Sequence, residues 1–559
     1  MSTGTIQVRP ASPGAGEGSG HAHFGHLLRS EWTKFRTVRG WVIGMMLAAV
    51  LMVFVGRFAA GSVGIGCVIN GVQKSGKACV PPVPHGPGGE VVTDSFNFAH
   101  QSLTGNGTIT ARVMSLTGKR PDFTGNTVQA RQGPNFVPGL MPWSKAGIII
   151  KQNLHQGSAY AAMLVTGANG VRMQYNYTGD IAGLPGTVSA AHPRWLRLTR
   201  AGDQITGYDS ADGVHWTKVG AVQLAGLPAT VQVGMFAASP NYAFTSNSFG
   251  GEANQIGPSE ATGVFDHVTA SGTPAGGRWA VAQIGGGGPV GPGPLGPSPV
   301  GGGGGGRGPG PGASGFTAAG GTFKLAGSGD IAPEVPGPAS TLPSVTIEQS
   351  LVGTFIGLIA IVVVAVMFFT AEYRRGLIRT TLAATPRRGR VLVAKSVVIG
   401  AATFAVGLVA AAVAIAIGVP AERNSGQVVL TVSTLTEARV VIGTAAMLAV
   451  AAVFATALGA VLRRSGAAIC VAIVTIVLPF LLVALNVFPS GISSWLLRLT
   501  PAAGLAVQQS IPLYRQVANV VDPARGIYPL SPLGGLAVLC CWAAAAMALA
   551  LVLLRRRDA

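Results

Sequence analysis

SLVGTFIGLIAIVVVAVMFFT, residues Ser350–Thr370, runs for 21 residues without a charge. A helix of about 20 apolar residues crosses a hydrocarbon core of about 30 Å, so this run reads as a membrane span. WVIGMMLAAVLMVFVGRFAAG, Trp41–Gly61, reads the same way, with Arg57 near one end where its side chain can snorkel to the interface. Further runs lie at Ser396–Val419, Val440–Leu462, Ala467–Val487 and Gly534–Leu554, which makes six expected spans. The whole chain of 559 residues is 48% hydrophobic and only 11% charged. Soluble domains carry about 25% charged residues, so composition points to a membrane class as well. Ser62–Gln349, between the first two spans, has no such run and reads as soluble.

The formal net charge is +19, but its placement argues against a nucleic-acid partner. Arg29, Lys34, Arg36 and Arg39 precede the first span. Arg374, Arg375, Arg379, Arg387, Arg388, Arg390 and Lys395 lie between the second and third. Arg463 and Arg464 join the fourth and fifth, and Arg555–Arg557 follow the sixth. All of these clusters share one side if both termini are cytoplasmic, as the positive-inside bias of short loops requires. The opposite loops, near Glu422–Glu437 and Pro489–Leu533, are poorer in basic residues. The expected location is therefore a bacterial plasma membrane, crossed several times, with Ser62–Gln349 outside. Cys67 and Cys79 then face an oxidising compartment, where pairing and two free thiols are equally open readings. Cys470, Cys540 and Cys541 fall within expected spans and read as packing residues. The polar, Gly/Pro-rich first 25 residues do not resemble a cleavable signal, so the first span is expected to stay as an anchor. His21, His23 and His26 sit on this tail, and no metal site is expected there.

The expected organisation is a tail and interfacial helix at 1–40, a first span at 41–61 and a juxtamembrane segment at 62–90. A β domain follows at 91–271, a Gly/Pro-rich linker at 272–345 and the remaining spans at 346–559. Within the β domain, short β-type runs recur at Thr108–Leu116, Ala146–Lys151, Tyr160–Thr166, Val171–Tyr177, Arg194–Arg200, Gln204–Asp209, His215–Val219 and Thr230–Ala237. Ala201-Gly202-Asp203 and Asp212-Gly213 stand between consecutive runs as hairpin turns. Evenly spaced strands without helical patterning indicate an all-β sandwich or jelly roll. The fold class is thus a polytopic helical membrane protein of six spans with an inserted all-β sandwich. Gly285–Gly315 cannot bury a core and reads as a flexible tether, while Phe316–Ile331 fits either a last strand or the tether.

Several motifs bear on chemistry. Gly71–Ala78 nearly spells a phosphate-binding loop, but Ala78 stands where a hydroxyl should meet Mg²⁺, and no strand–loop–helix pattern surrounds it. No ATPase is expected in this chain. None of the six runs contains Asp or Glu, which argues against ion-coupled secondary transport. Phe24–Arg39 is amphipathic, with Leu27, Leu28, Trp32 and Phe35 able to share one helical face, suited to a headgroup layer. A plain cytoplasmic collar is the alternative. Ala371–Lys395, AEYRRGLIRTTLAATPRRGRVLVAK, is too short for a domain, and Gly376 and Pro386 bracket a short helix near Leu377–Ala384.

EYRRGLIRTTLAATPRRGRVLVAK resembles the segment after the second span in permease subunits of type-2 ABC exporters, and LLRSEWTKFRTVRGW is similar to that family's interfacial helix and first span. The resemblance covers Phe24–Gly61 and Thr346–Ala559. It implies an elbow that includes Leu28, Trp32, Phe35 and Arg36. It also implies an ATPase-coupling contact on Glu372, Arg375, Gly376, Arg379, Leu382, Pro386 and Arg387, with Lys395 matching the family's lysine. The implied partners are cytoplasmic ATPase subunits, which carry the ATP and Mg²⁺, a second permease copy or homologue, and membrane lipid. The family's first external loop is usually short, and this one departs from that pattern.

SKAGIIIKQ, YAAMLVTGANGVRMQY, PRWLRLTRAGDQITGYDSADGVHWTKVG and VQVGMFAAS look like a lectin- or glucanase-like jelly roll of the concanavalin A-like superfamily. Glucanases of that shape use clustered carboxylates, usually Glu-x-Asp-x-x-Glu on one strand, and no such cluster occurs here. Asp203, Asp209 and Asp212 lie at or near turns, so no covalent chemistry is expected of this chain. Trp143, Tyr175, Trp195, Tyr208 and Trp216 are candidate stacking platforms for a glycan or cell wall, although strand alternation buries about half of such residues. The expected function is the membrane-spanning subunit of an ABC transporter, an exporter, with a lectin-like outer domain. A membrane-anchored carbohydrate sensor or adhesin is the alternative.

Overall fold

The computed structural model describes residues 24–62, 64–69, 71–80, 82–123, 135–248, 251–273, 278–285, 315–337, 340, 342–374, 388–519 and 521–556. It combines a large β sandwich with six helices that are long and apolar enough to cross a membrane. Among the described residues the α-helices are α1 (Phe24–Thr37), α2 (Arg39–Ser62), α3 (Thr354–Arg374), α4 (Arg388–Asn424), α5 (Thr434–Leu462), α6 (Ser465–Ala484), α7 (Ser490–Leu499) and α8 (Pro532–Arg556), all but α1 and α7 being span-length.

Helix α4 is 37 residues long and passes well beyond the apolar run at Ser396–Val419. An apolar run marks where hydrocarbon ends, whereas a helix continues as long as its backbone bonds are satisfied. This extension carries Lys395 and Glu422 inside the helix, and both side chains are buried. The expected apolar runs hold no carboxylate, but the longer span-length helices that contain them do. Glu422 belongs to the span-length helix Gly389–Asn424, and buried Glu348 belongs to the span-length segment Ile347–Glu372.

Small residues set how closely the helices approach. A β-carbon on Gly353 would fall 1.9 Å from the Met52 carbonyl oxygen, and one on Gly56 would fall 2.3 Å from that of Ser350. Close backbone crossings at small residues give helices in an apolar solvent their packing energy. Gly353→Leu is expected to separate α2 from α3 and to abolish a monodisperse peak in detergent size-exclusion chromatography. A wild-type profile would show that this crossing yields to the larger side chain.

The segment between α6 and α8, read from sequence as a loop at Pro489–Leu533, turns back into the bundle. Pro501–Gln508 forms a 3-10 helix whose eight residues are all buried. It packs against α5, α6 and α8. A β-carbon on Gly535 would meet the Ala503 carbonyl at 2.1 Å, so this approach also depends on glycine.

The sandwich has two antiparallel sheets. The front sheet runs, in spatial order, Gly179–Ala182, Val171–Tyr175, Tyr160–Thr166, Lys145–Lys151, Thr230–Ala238, Phe96–Thr104 and Ala280–Ile284. The back sheet runs Thr217–Gln223, Gln204–Ser210, Arg194–Ala201, Gly107–Pro121, Glu260–Ser271, Thr322–Gly327 and Phe316–Ala319, with Phe136–Pro138 paired to Gly107–Pro121. Alternating residues such as Ile148, Met163, Leu196, Leu198, Val233 and Phe265 fill the space between the sheets. Strands at 280–284 and 316–327 complete both sheets, so the expected linker at 272–345 contributes to the sandwich itself. Gly285 is the last described residue before the Gly/Pro-rich stretch, which lies outside the described residues.

A second apolar layer covers the outer face of the front sheet. Phe96, Phe98, Ile149, Tyr160, Leu164 and Phe236 pack there against Val92, Tyr177, Ile284 and Ile331. The near-P-loop at 71–78 forms the second half of a hairpin, Gly66–Ile69 with Val72–Ser75, and a Cys67–Cys79 disulfide closes it. That hairpin rests on the end of α4, where Ile65 N–H donates to the Ser425 carbonyl at 3.0 Å.

Candidate functional site

At the end of the bundle that carries Arg39, Arg463 and Arg555, four side chains from three helices form an ion network with Glu31 and Lys395 buried at its centre. Lys395 Nζ on α4 lies 2.6 Å from Glu31 Oε2 on α1 and 2.7 Å from Glu372 Oε1 on α3. Lys34 Nζ lies 2.7 Å from Glu31 Oε1 and 3.4 Å from Glu372 Oε1. Glu31 and Lys395 are each 1% exposed. Lys395 Nζ also sits 4.7 Å from the centroid of Phe368. Burial alone would lower the Lys34 pKa, but hydrogen bonds and the fields of Glu31 and Glu372 outweigh it and hold it above the ordinary value. Removing one member of such a network strands a buried charge, so the three helices are held as a unit.

Helix α1 presents Leu28, Glu31 and Phe35 to the bundle, at helical spacing. Phe35 meets Phe368 edge-on, with centroids 5.7 Å apart. Of the expected apolar face of Leu27, Leu28, Trp32 and Phe35, Phe35 is buried in the bundle, while Trp32 is 46% exposed and stacks on the Phe35 ring with centroids 6.0 Å apart. Arg36 is exposed. Glu31 was absent from the sequence candidates, because one acid among basic residues reads as solvent-facing. Its place between Leu28 and Phe35 on one helical face was the available signal.

Glu372 is described, at the end of α3. Arg375, Gly376, Arg379, Leu382, Pro386 and Arg387 lie outside the described residues. The two helices that bracket them, α3 and α4, are the ones that the network joins to α1.

The opposite end of the bundle carries a second buried polar group. Glu348 accepts from Ser510 Oγ at 2.5 Å and from Ser510 N–H at 3.1 Å. Glu422 accepts from Ser350 Oγ at 2.9 Å. Gln508 Nε2 donates to Thr354 Oγ1 at 3.2 Å and to Thr444 Oγ1 at 3.4 Å. These bonds pin the returning segment 501–510 to α3 and α5.

The sandwich packs onto this same end through its front sheet. Gln516, buried, donates from Nε2 to the Tyr177 carbonyl at 2.6 Å. Thr431 Oγ1 donates to the Gly89 carbonyl at 2.9 Å. Val91 packs with Val428 and Leu430, and Ser344–Val345 pairs in parallel with Val428–Val429. Beneath this contact Asp94 Oδ2 accepts from Lys151 Nζ at 2.8 Å, Tyr177 OH at 2.6 Å and Gly157 N–H at 2.9 Å. Asp94 and Lys151 are fully buried, and burial lowers the Lys151 pKa despite the field of Asp94.

The five candidate stacking residues do not share a surface. Trp143 is 9% exposed, with the Arg172 guanidinium 6.0 Å from its ring, and offers no platform. Tyr175 packs against the sandwich core. Trp195, Tyr208 and Trp216 gather on the outer face of the back sheet. Leu196 and Leu198 point inward, so Trp195 and Arg197 point outward, and Tyr208 lies directly across from Arg197. Trp195 is partly buried, with Arg112 5.4 Å from its ring, His267 at 5.2 Å, and Gly213 so close that a β-carbon there would lie 2.6 Å from the ring. The Arg197 guanidinium lies 3.8 Å over Trp216. Among the described residues no group of three or more His, Cys, Asp or Glu is placed to hold a metal.

No family model matches the chain, and no curated protein matches it. Solved structures with a likeness to it include a functionally unknown protein from Saccharomyces cerevisiae, 14% identical over 39% of this chain and 90% of that one, with a TM-score of 0.20. A GH43 protein from Bacillus licheniformis is 15% identical over 24% of this chain and 24% of that one, with a TM-score of 0.16. Basic winged bean lectin in complex with Tn-antigen is 13% identical over 38% of this chain and 86% of that one, with a TM-score of 0.13. Likenesses of this size carry no argument about fold or activity.

Proposed function

We propose that this chain is the membrane-spanning permease subunit of an ATP-binding cassette exporter, driven by separate ATPase subunits on the side of its basic clusters. The observation that carries this reading is the buried Glu31–Lys395–Glu372 network. It makes α1, α3 and α4 one mechanical body around segment 375–387. A force applied to that segment by a partner would move two span-length helices and the elbow together, as a permease worked from outside itself requires. The partner would hold ATP and Mg²⁺, and a second permease copy would complete the path.

On this reading both termini are cytoplasmic and the sandwich, a jelly roll, lies outside a bacterial plasma membrane, where it meets glycan or cell wall. The sandwich is packed onto segments 428–431 and 511–516, so motion of the helices would be felt by it and the reverse. A sensor or adhesin would need only an anchor, and the network joining α1, α3 and α4 would then have no task.

Co-purification tests the proposal. Arg375→Glu with Arg379→Glu is expected to reduce the ATPase subunit recovered with the tagged permease about tenfold or more, because each reversal replaces an attraction with a repulsion. Undiminished recovery together with undiminished ATP turnover in the membrane fraction would overturn the assignment.

A further inference from the structure

The apolar part of the outer face of the front sheet is covered. Its apolar layer is covered by the chain around Val92 and Ile331, and Gln516 and Ile511 press on the same side. A ligand of the sandwich finds more open surface on the back sheet. The back sheet lies on the far side of the core, and its outer face points away from the helices. It stays accessible, since Lys119, Lys218 and Lys324 are exposed and Arg197, Tyr208 and Trp216 are partly exposed.

Register places a polar row across four strands of that face. Thr110 pairs with Arg197, Arg197 with Tyr208, and Tyr208 with Lys218. With about 4.8 Å between strands, three steps make a row about 14 Å long. Arg197 is held rigid at its centre, since its guanidinium lies on Trp216 and Nε donates to Thr110 Oγ1 at 3.1 Å. Trp216 is itself anchored by its Nε1–H, which donates to the Gly213 carbonyl at 3.1 Å. A guanidinium fixed flat in this way loses little entropy when its free edge takes up a carboxylate.

The neighbouring charges sharpen the choice of ligand. Arg112 is neutralised by Asp266, with Nη2 2.5 Å from Oδ2. Among the described residues no ion pair forms to Arg197 or Lys218. The row thus presents two uncompensated cations on either side of the Tyr208 ring. A neutral sugar chain could stack on the ring but would leave both charges unanswered.

We propose that the outer face of the back sheet, along Thr110, Arg197, Tyr208 and Lys218, binds a carboxylated polysaccharide. This rests on the glycan-binding reading of the sandwich and names its surface and ligand class. The carboxylates would meet Arg197 and Lys218, and a sugar ring would lie against Tyr208.

The test uses the full chain in detergent micelles, with polygalacturonate, neutral dextran and phosphatidylglycerol vesicles as probes. Polygalacturonate should bind, more weakly as salt rises, and Arg197→Gln with Lys218→Gln should weaken it about tenfold. Far-UV circular dichroism of that variant should match the parent, because neither side chain enters the core. Equal binding of polygalacturonate by parent and variant would overturn the proposal. So would dextran binding as tight as polygalacturonate, although the broader glycan-binding reading would survive that result. Binding to none of the glycans would overturn both readings. Preference for the vesicles would assign the face to lipid and overturn the proposal as well. The ATPase co-purification described above is independent of every one of these outcomes.

Discussion

Lys395→Met is expected to destabilise the chain by about 3–5 kcal/mol, the usual cost of removing one partner from a buried ion pair. The substitution leaves Glu31 and Glu372 facing each other without a cation at their centre. Lys34 remains, but it is bonded mainly to Glu31 and reaches Glu372 only at 3.4 Å. Two consequences should be measurable in detergent-solubilised protein. The thermal midpoint, followed by size-exclusion after heating, should fall, and a cysteine in place of Leu28, which packs against the bundle, should label faster as α1 detaches. The triple change Glu31→Gln, Lys395→Met, Glu372→Gln should recover most of the loss, since it removes the stranded charges along with the attraction. A single variant that melts like the parent would show that the network does not hold α1.

Lys151→Met should be as damaging to the sandwich. Asp94 would keep Tyr177 OH and Gly157 N–H as donors but lose the only cation bonded to it among the described residues, inside a site with no exposure. The expected loss is again about 3–5 kcal/mol. Its reach is longer than the local cavity, because Tyr177 also accepts from Gln516 through its carbonyl. Hydrogen exchange should therefore quicken in peptides covering both 153–160 and 511–519. Asp94→Asn combined with Lys151→Met should slow that exchange again. Faster exchange confined to 153–160 would show that the sandwich and the 511–516 segment are mechanically separate.

Strand positions were largely legible because alternation with period two is a local signal. Tyr160–Thr166 is observed with the bounds that the alternation gave, and Arg194–Ala201 differs by one residue. Gly107–Pro121 extends five residues past the expected end at Leu116, and its pattern is irregular within the expected run itself. Opposite Val264 and Phe265 the register skips Met114, so the inward and outward faces exchange there while the strand continues. The helices were legible from apolar length, but their ends were not, since α4 continues past Lys395 in one direction and Glu422 in the other.

The candidate sites were legible only where neighbours in sequence decide exposure. Trp195 reads as a candidate platform, and the structure packs Arg112, Gly213 and His267 from three other parts of the chain around its ring, leaving it partly buried. Nothing near Glu31 in sequence names its buried partner, because Lys395 is 364 residues away.

Residue order by itself determined the six apolar helices, the alternating strands and the sorting of basic residues, because each follows from periodicity or composition within a short window. Tertiary structure alone decided which charges are paired, which ring faces are covered and which sheet meets the helices. Those outcomes depend on groups brought together across hundreds of residues, and burial gives an unpaired charge or donor a cost that no local pattern records.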